Sequence, residues 1–411
     1  VVIRNYLRQF YRDIRTQRLR FFLTLFGMVW GTVSVTLLLA FGQGIHEQMI
    51  KESKGIGENI VICWPSRTSK PFKGMNKGRL IRMTEEDMEY LRREVPEIDS
   101  ISPEYSTGSA RYTVGKKTLV PWLSGVWPEY AAMRSVIPDA KSRYINATDL
   151  AERRRVIFLG NKLKEDFFGK EEAIGEKVEI EGVPFQVIGV MEPKSQDSSY
   201  RGRDEDTGTI PATVYRDMFG KKYVDNFIFQ VNDPTLIARV KKGVVAAAAR
   251  KYNFDPEDKE AVGMWDTTET SAFFNTFFLA FRLFLCIVGA LTLVVGGIGV
   301  SNIMNVVVEE RTKEIGIKMA LGAKKGYIVG QFMFETFFIT LLGAALGFLL
   351  SAAICKGFPP DLHKYVGDPR ISLQVTLITT GVLGAIAFLA GWFPARAAAN
   401  LNPVQALKFD I

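Results

Sequence analysis

Chemistry at a protein site needs acids, bases, nucleophiles or metal ligands gathered at one place. The sequence offers few. Its two histidines, His46 and His363, are far apart and form no ligand pattern, and Cys63, Cys286 and Cys355 have neither disulfide-framework nor zinc spacing. Paired acids occur at Glu85–Glu86 and Glu171–Glu172, in polar stretches that read as exposed surface. Phosphate-loop, nucleophile-elbow, H-E-x-x-H and C-x-x-C patterns do not occur. No residue is therefore assigned a catalytic, cofactor-binding or metal role, and the chain reads as a non-enzyme. Two features stand out. Glu335 is an acid inside an otherwise apolar run, where ionisable groups are costly. It lies near one end of that run, so a structural pairing with Arg311 or with a helix terminus is expected rather than a proton relay. The segment 309–325 interleaves Glu309, Glu310, Arg311, Lys313, Glu314 and Lys318 with Ile315, Ile317, Met319 and Leu321. Its charges have i, i+3 and i, i+4 spacing, which supports a short helix in water. Its apolar residues supply a docking surface, and Gly316, Gly322 and Gly326 permit close approach and sharp exits.

The elements that position these residues are largely apolar helices. Uncharged or nearly uncharged runs at 21–43, 283–308, 327–354 and 371–395 each reach the ~20 residues needed to cross a bilayer as a helix. The first run is too long for a signal-peptide core and lacks a clear cleavage pattern, so it reads as an uncleaved span. Basic residues cluster at Arg4, Arg8, Arg12, Arg15, Arg18 and Arg20, and again at Arg311, Lys313, Lys318, Lys324 and Lys325. The loop at 355–370 holds only Lys356, Lys364 and Arg370. The positive-inside rule then puts both termini and the 309–326 segment in the cytoplasm, and the long charged stretch after the first span outside. The net charge of +8 is largely this topology signal and calls for no nucleic-acid partner. Residues 1–20 read as an amphipathic helix on anionic membrane lipids.

The expected fold is thus membrane α-helical, with four transmembrane helices and a large mixed α/β extracytoplasmic domain inserted between helices 1 and 2. The expected parts are the N-terminal helix 1–20, a first span at 21–43 and the outer domain with its stalk at 44–271. There follow stalk and second span at 272–308, a cytoplasmic helix at 309–326, a third span at 327–354, an outer loop at 355–370, a fourth span at 371–395 and a tail at 396–411. Inside the outer domain, strand patterns occur at 58–64, 100–105, 110–114, 118–126, 154–159, 176–181, 183–191 and 226–231. Helices are expected at 84–94, 161–168 and 234–252, a β-rich inserted subdomain at about 116–221, and a mobile polar loop at 196–206. Small-residue faces at Gly343, Gly347 and Ser351, and at Gly297 and Ser301, suit close helix packing within the chain or between two copies.

The pattern E-R-x-x-E-I-G-I-x-x-A-L-G-A at 310–323, followed by an apolar helix with an early Glu335, resembles the permeases of the MacB/FtsX-type ABC transporter superfamily, which includes LolC/LolE. The closing P-A-x-x-A-A-x-x-x-P-x-x-A-L from Pro394 strengthens the resemblance, as do the helix layout and the stretch 156–191. It implies a permease subunit that couples ATP hydrolysis to movement of the outer domain, driving export or extraction of a substrate. It also implies a separate ABC ATPase subunit, which would hold ATP and magnesium while this chain holds no cofactor. The coupling helix received by that ATPase would comprise Glu309, Glu310, Arg311, Lys313, Glu314, Ile315, Gly316, Met319, Leu321 and Gly322, with Glu335, Gly343, Gly347 and Pro394 as packing residues. Further implied partners are a second permease chain, identical or paralogous, and a membrane-fusion adaptor. The implied location is the bacterial plasma (inner) membrane. The alternative within the resemblance is an FtsX-like mechanotransmitter that controls an envelope enzyme.

Overall fold

The computed structural model describes residues 18–196, 199–402 and 406. The expected N-terminal helix at 1–20 lies almost wholly outside these, and so does the tail at 403–405 and 407–411. Two compact units are formed, one by the chain up to Gln48 and from Thr276 onward, the other by Met49–Asn275.

The apolar run near the N-terminus and the helical spacing after it form one unbroken helix, α1, Arg18–Lys54. The chain then enters an eleven-stranded sheet. In order come β1 (Ile60–Pro65), α2 (Glu85–Glu94), β2 (Ser100–Thr107), β3 (Tyr112–Val114), β4 (Lys117–Leu119) and β5 (Trp122–Val126). Then follow β6 (Val156–Leu159), α3 (Asn161–Phe168), β7 (Lys177–Ile180), β8 (Val183–Val190), β9 (Thr207–Pro211) and α4 (Ala212–Phe219). β10 (Asn226–Gln230), α5 (Ile237–Tyr252) and β11 (Val262–Asp266) complete it. Short helical turns lie at Tyr130–Met133 and Ala147–Ala151.

The strand order is β11-β1-β10-β2-β5-β9-β6-β8-β7-β3-β4. Pairing is antiparallel except for β5 with β9 and β6 with β8. β7 and β8 form the hairpin read from the sequence, with Glu181 and Gly182 both at positive φ in its turn. Helix α2 begins as expected at Thr84, whose backbone N–H donates to Asp87 at 2.6 Å in a capping box.

Three expectations are corrected. The strand expected at 118–126 is two strands, because Pro121 supplies no N–H to a ladder. The strands at 116–221 do not close a sheet of their own. They continue the sheet built by β1, β10 and β2, and one hydrophobic core runs through both parts, from Val61 and Phe229 to Val178 and Phe185. The loop at 196–206, wherever described, is anchored by buried ion pairs. Arg134 is 2% exposed and donates to both Asp204 oxygens at 2.8 and 3.0 Å, while Lys194 Nζ reaches Asp204 Oδ2 at 2.6 Å. Tyr200 donates to Glu104 at 2.6 Å, and Arg201 pairs with the same buried carboxylate. Burial works against the Asp204 charge, yet Arg134 and Lys194 outweigh it and hold its carboxyl below the usual range.

The other unit is helical. α6 (Thr267–Glu310), α7 (Thr312–Ala320), α8 (Lys325–Lys356) and α9 (Leu373–Ala399) follow β11, with a short turn at His363–Val366. α1, α6, α8 and α9 are each long and apolar enough to cross a membrane. Their common core includes Met28, Val35, Leu293, Met304, Phe332 and Leu383.

Candidate functional site

The segment 309–326 is not one helix. Glu309 and Glu310 form the exposed end of α6, the chain bends at Arg311 (φ −100°, ψ 9°), and α7 covers only Thr312–Ala320. Lys325 and Gly326 already belong to α8. The stop after α7 has a local cause. Gly322 takes φ +92°, its N–H donates to the Met319 carbonyl at 3.0 Å, and Ala323 N–H donates to the Lys318 carbonyl at 3.0 Å. This is a Schellman ending, which needs a left-handed residue at that place. Of the three glycines expected to shape the segment, Gly322 alone has positive φ, while Gly316 is buried within α7.

α7 has two faces. Thr312, Ile315 and Gly316 are buried, and Ile315 joins the core with Val308, Ile328 and Phe332. Lys313, Glu314, Ile317, Ala320, Leu321 and Lys324 are exposed, with Ile317 at 47% and Leu321 at 84%. Met319 is half-buried against the core. Two polar ties brace the helix to α8. Arg311 Nη1 is 3.1 Å from Glu335 Oε1, both largely buried, which is the pairing expected from the sequence. Lys318 Nζ donates to Gln331 Oε1 at 3.2 Å. Gln331 and Glu335 are one helical turn apart, so both ties fall on one face of α8. Sequence reading missed Gln331. Its position four residues before Glu335 was the available signal.

The packing residues sit deeper in the helical unit. A Cβ added at Gly343 would stand 2.7 Å from Met28 Cβ, and one at Gly347 would stand 2.6 Å from Thr32 Cβ. The small face of α8 is thus filled by α1 of the same chain, and Gly297 of α6 is filled by Ile386 of α9. Pro394 is buried inside α9, which runs five residues past it to Ala399, so the tail expected from 396 starts later.

Residues 21–247 match the MacB-like periplasmic core domain, and residues 286–403 match the FtsX-like permease C-terminal domain. The chain belongs to the MacB/FtsX permease family. Relatives extend over nearly all of it. The Macrolide export ATP-binding/permease protein MacB of Bdellovibrio bacteriovorus is 27% identical over 99% of this chain and 62% of its own length. The protein of the same name from Chlorobaculum tepidum is 28% identical over 99% of this chain and 61% of its own. The chain thus spans about three-fifths of the length of these relatives. Among solved structures, the periplasmic region of MacB from Actinobacillus actinomycetemcomitans aligns with a TM-score of 0.44 at 17% identity, covering 55% of this chain and 97% of that one. The extracellular domain of the ABC-type transporter YknZ aligns with a TM-score of 0.42, also at 17% identity, covering 51% and 100%. As a MacB/FtsX permease with four apolar helices, the chain is a membrane protein whose sheet domain is extracytoplasmic.

Proposed function

We propose that this chain is the permease part of a MacB-type ABC transporter and that an ABC ATPase docks on the exposed face of α7. The carrying observation is a short helix with one face locked in the core and Ile317 and Leu321 left exposed among Lys313, Glu314 and Lys324. An amphipathic helix of this kind suits a groove on a partner. Closure of two ATPases around bound ATP and magnesium would press on α7 in each of two permease chains. The ties to Glu335 and Gln331 would pass that force to α8, while α6, unbroken from Glu310 to Thr267, would carry it to the extracytoplasmic sheet domain. The cargo would be exported, or extracted from the membrane, outside the cytoplasm, with an adaptor protein receiving it. The basic residues of the 309–325 segment support a cytoplasmic placement of α7, with both termini on that side of a bacterial inner membrane.

The test is co-purification with an ABC ATPase, together with its ATP turnover in the complex. Leu321→Asp places a charge at the contact, and Gly316→Pro breaks α7 at a buried position. Both are expected to abolish association or coupled turnover while the permease still inserts and folds. Association and turnover unchanged in both variants would overturn the assignment.

A further inference from the structure

The connection from β1 to α2, residues 66–82, carries Arg67, Lys70, Lys73, Lys77, Arg79 and Arg82 and not one acid. It is an ordered arm. Thr68 N–H donates to the Arg79 carbonyl at 2.9 Å, and Phe72 and Met75 exchange backbone bonds at 3.0 and 2.9 Å around Lys73 and Gly74, both at positive φ. Its base is fixed by Asp258, which accepts from Ser69 N at 2.7 Å and Lys70 N at 3.1 Å. Those bonds also hold the Asp258 carboxyl below its usual range despite the cost of burial.

Three of the six cations are used in this framework, the first being Arg67, whose Nη1 donates to the Gly78 carbonyl at 3.0 Å. Lys70 lies 3.9 Å from Asp255, and Arg79 donates to the Tyr252 and Asn253 carbonyls. Arg67, Lys73, Lys77 and Arg82 are exposed and have no carboxylate within 4.0 Å among the described residues; Arg82 lies over the Tyr223 ring at 5.2 Å. Elsewhere on the domain exposed cations often stand against acids, as Lys141 does with Glu172, Arg153 with Asp217 and Arg250 with Glu94. Apolar groups are mixed into the arm: Leu80 is 44% exposed, and Phe72 and Met75 are half-buried.

The arm's place in the fold follows from β1. β1 and β11 pair with Val61 opposite Asp266 at one end and Pro65 opposite Val262 at the other. α1 leads into the first end, and α6 leaves from it at Thr267. The arm leaves from the opposite end of β1, after Pro65. Unpaired cations interleaved with Phe, Met and Leu match the charge-complementary, partly apolar chemistry of a protein contact better than that of a bare polyanion. We propose that the 66–82 arm docks an acidic protein segment in which apolar side chains alternate with carboxylates.

The experiment uses the full chain in neutral-lipid nanodiscs and a fluorescein-labelled peptide of alternating Glu and Leu, with anisotropy as the readout. Inorganic polyphosphate and phosphatidylglycerol vesicles serve as rival probes. Reversal at the arm by Lys73→Glu with Lys77→Glu is expected to weaken peptide binding by roughly tenfold or more. The same reversal at two exposed lysines elsewhere on the domain, Lys116→Glu with Lys170→Glu, is expected to leave it unchanged. Both pairs are surface changes that leave the fold intact, and neither touches α7, so ATPase docking is unaffected by the result. Equal binding by wild type and the arm variant would overturn the proposal. So would arm-dependent binding of polyphosphate or of the vesicles that is as tight as that of the peptide.

Discussion

Asp204 receives three charged hydrogen bonds at 2.8, 3.0 and 2.6 Å, and the guanidinium it neutralises also donates to the Ile56 carbonyl at 3.0 Å. Asp204→Ala would leave Arg134 buried without a counter-charge. The cost of such a change is about 3–5 kcal/mol, read as a lower thermal midpoint of the sheet domain by tryptophan fluorescence. The pH dependence follows from the sign of the shift. The folded pKa of Asp204 lies below the ordinary value of about 3.9, so its stabilisation is complete above that value and is lost as pH falls through the folded pKa. Wild type should therefore exceed Asp204→Asn in stability at neutral pH, and the two should converge in acid below about pH 3.9. A constant gap down to pH 2 would refute this. None of it was legible in the sequence. Asp204 and Arg134 are 70 positions apart, and a polar run read locally resembles a mobile loop whenever its charges find partners that far away. Arg311 and Glu335 were readable because an acid in an apolar run demands a cation, and the chain offers Arg311 close by.

At the scale of elements, the long helices and their glycine faces could be read from composition, but the partner of each face could not. Small residues at four-residue spacing announce close approach without saying to what. The structure answers that Gly343 and Gly347 of α8 meet Met28 and Thr32 of α1, and at both positions the nearest opposing atom is a Cβ, which cannot swing aside. Gly343→Ala and Gly347→Ala should each cost about 1–3 kcal/mol through forced separation of α1 and α8. Gly330→Ala in the same helix meets open space and should be neutral or stabilising by about 0.5–1 kcal/mol. Thermal unfolding in detergent separates the two classes, and equal shifts at all three positions would refute the packing argument. The sheet shows the complementary limit. β9, α4 and β11 had no expectation attached, since β9 is a five-residue strand between a polar loop and a helix, and β11 leads without a break into α6. The basic arm at 66–82 was legible as a run of like charges. What the sequence does not show is that Arg67, Lys73, Lys77 and Arg82 of that run are exposed with no carboxylate within 4.0 Å among the described residues.

For the molecule as a whole, α1 and α6 are the two covalent connections between the helical unit and the sheet domain, and both remain helical through the residues where the compact units divide. A helix transmits displacement along its axis only while its hydrogen-bond ladder is intact. Proline removes one bond and clashes with the preceding turn, at about 3 kcal/mol. Thr276 is the first α6 residue assigned to the helical unit. Thr276→Pro leaves α7, its two ties and its exposed face untouched, so ATPase association should persist. What should disappear is the ATP-dependent change in hydrogen exchange of β1 and β10 in the reconstituted permease–ATPase complex. Thr276→Ala removes the same side chain without breaking the ladder, and should retain that change. If the proline variant still relays ATP binding to the sheet domain with full amplitude, α6 is not the transmission rod. The force would then have to travel through α8 and its contacts with α1, where Gly343 and Gly347 hold the two helices together.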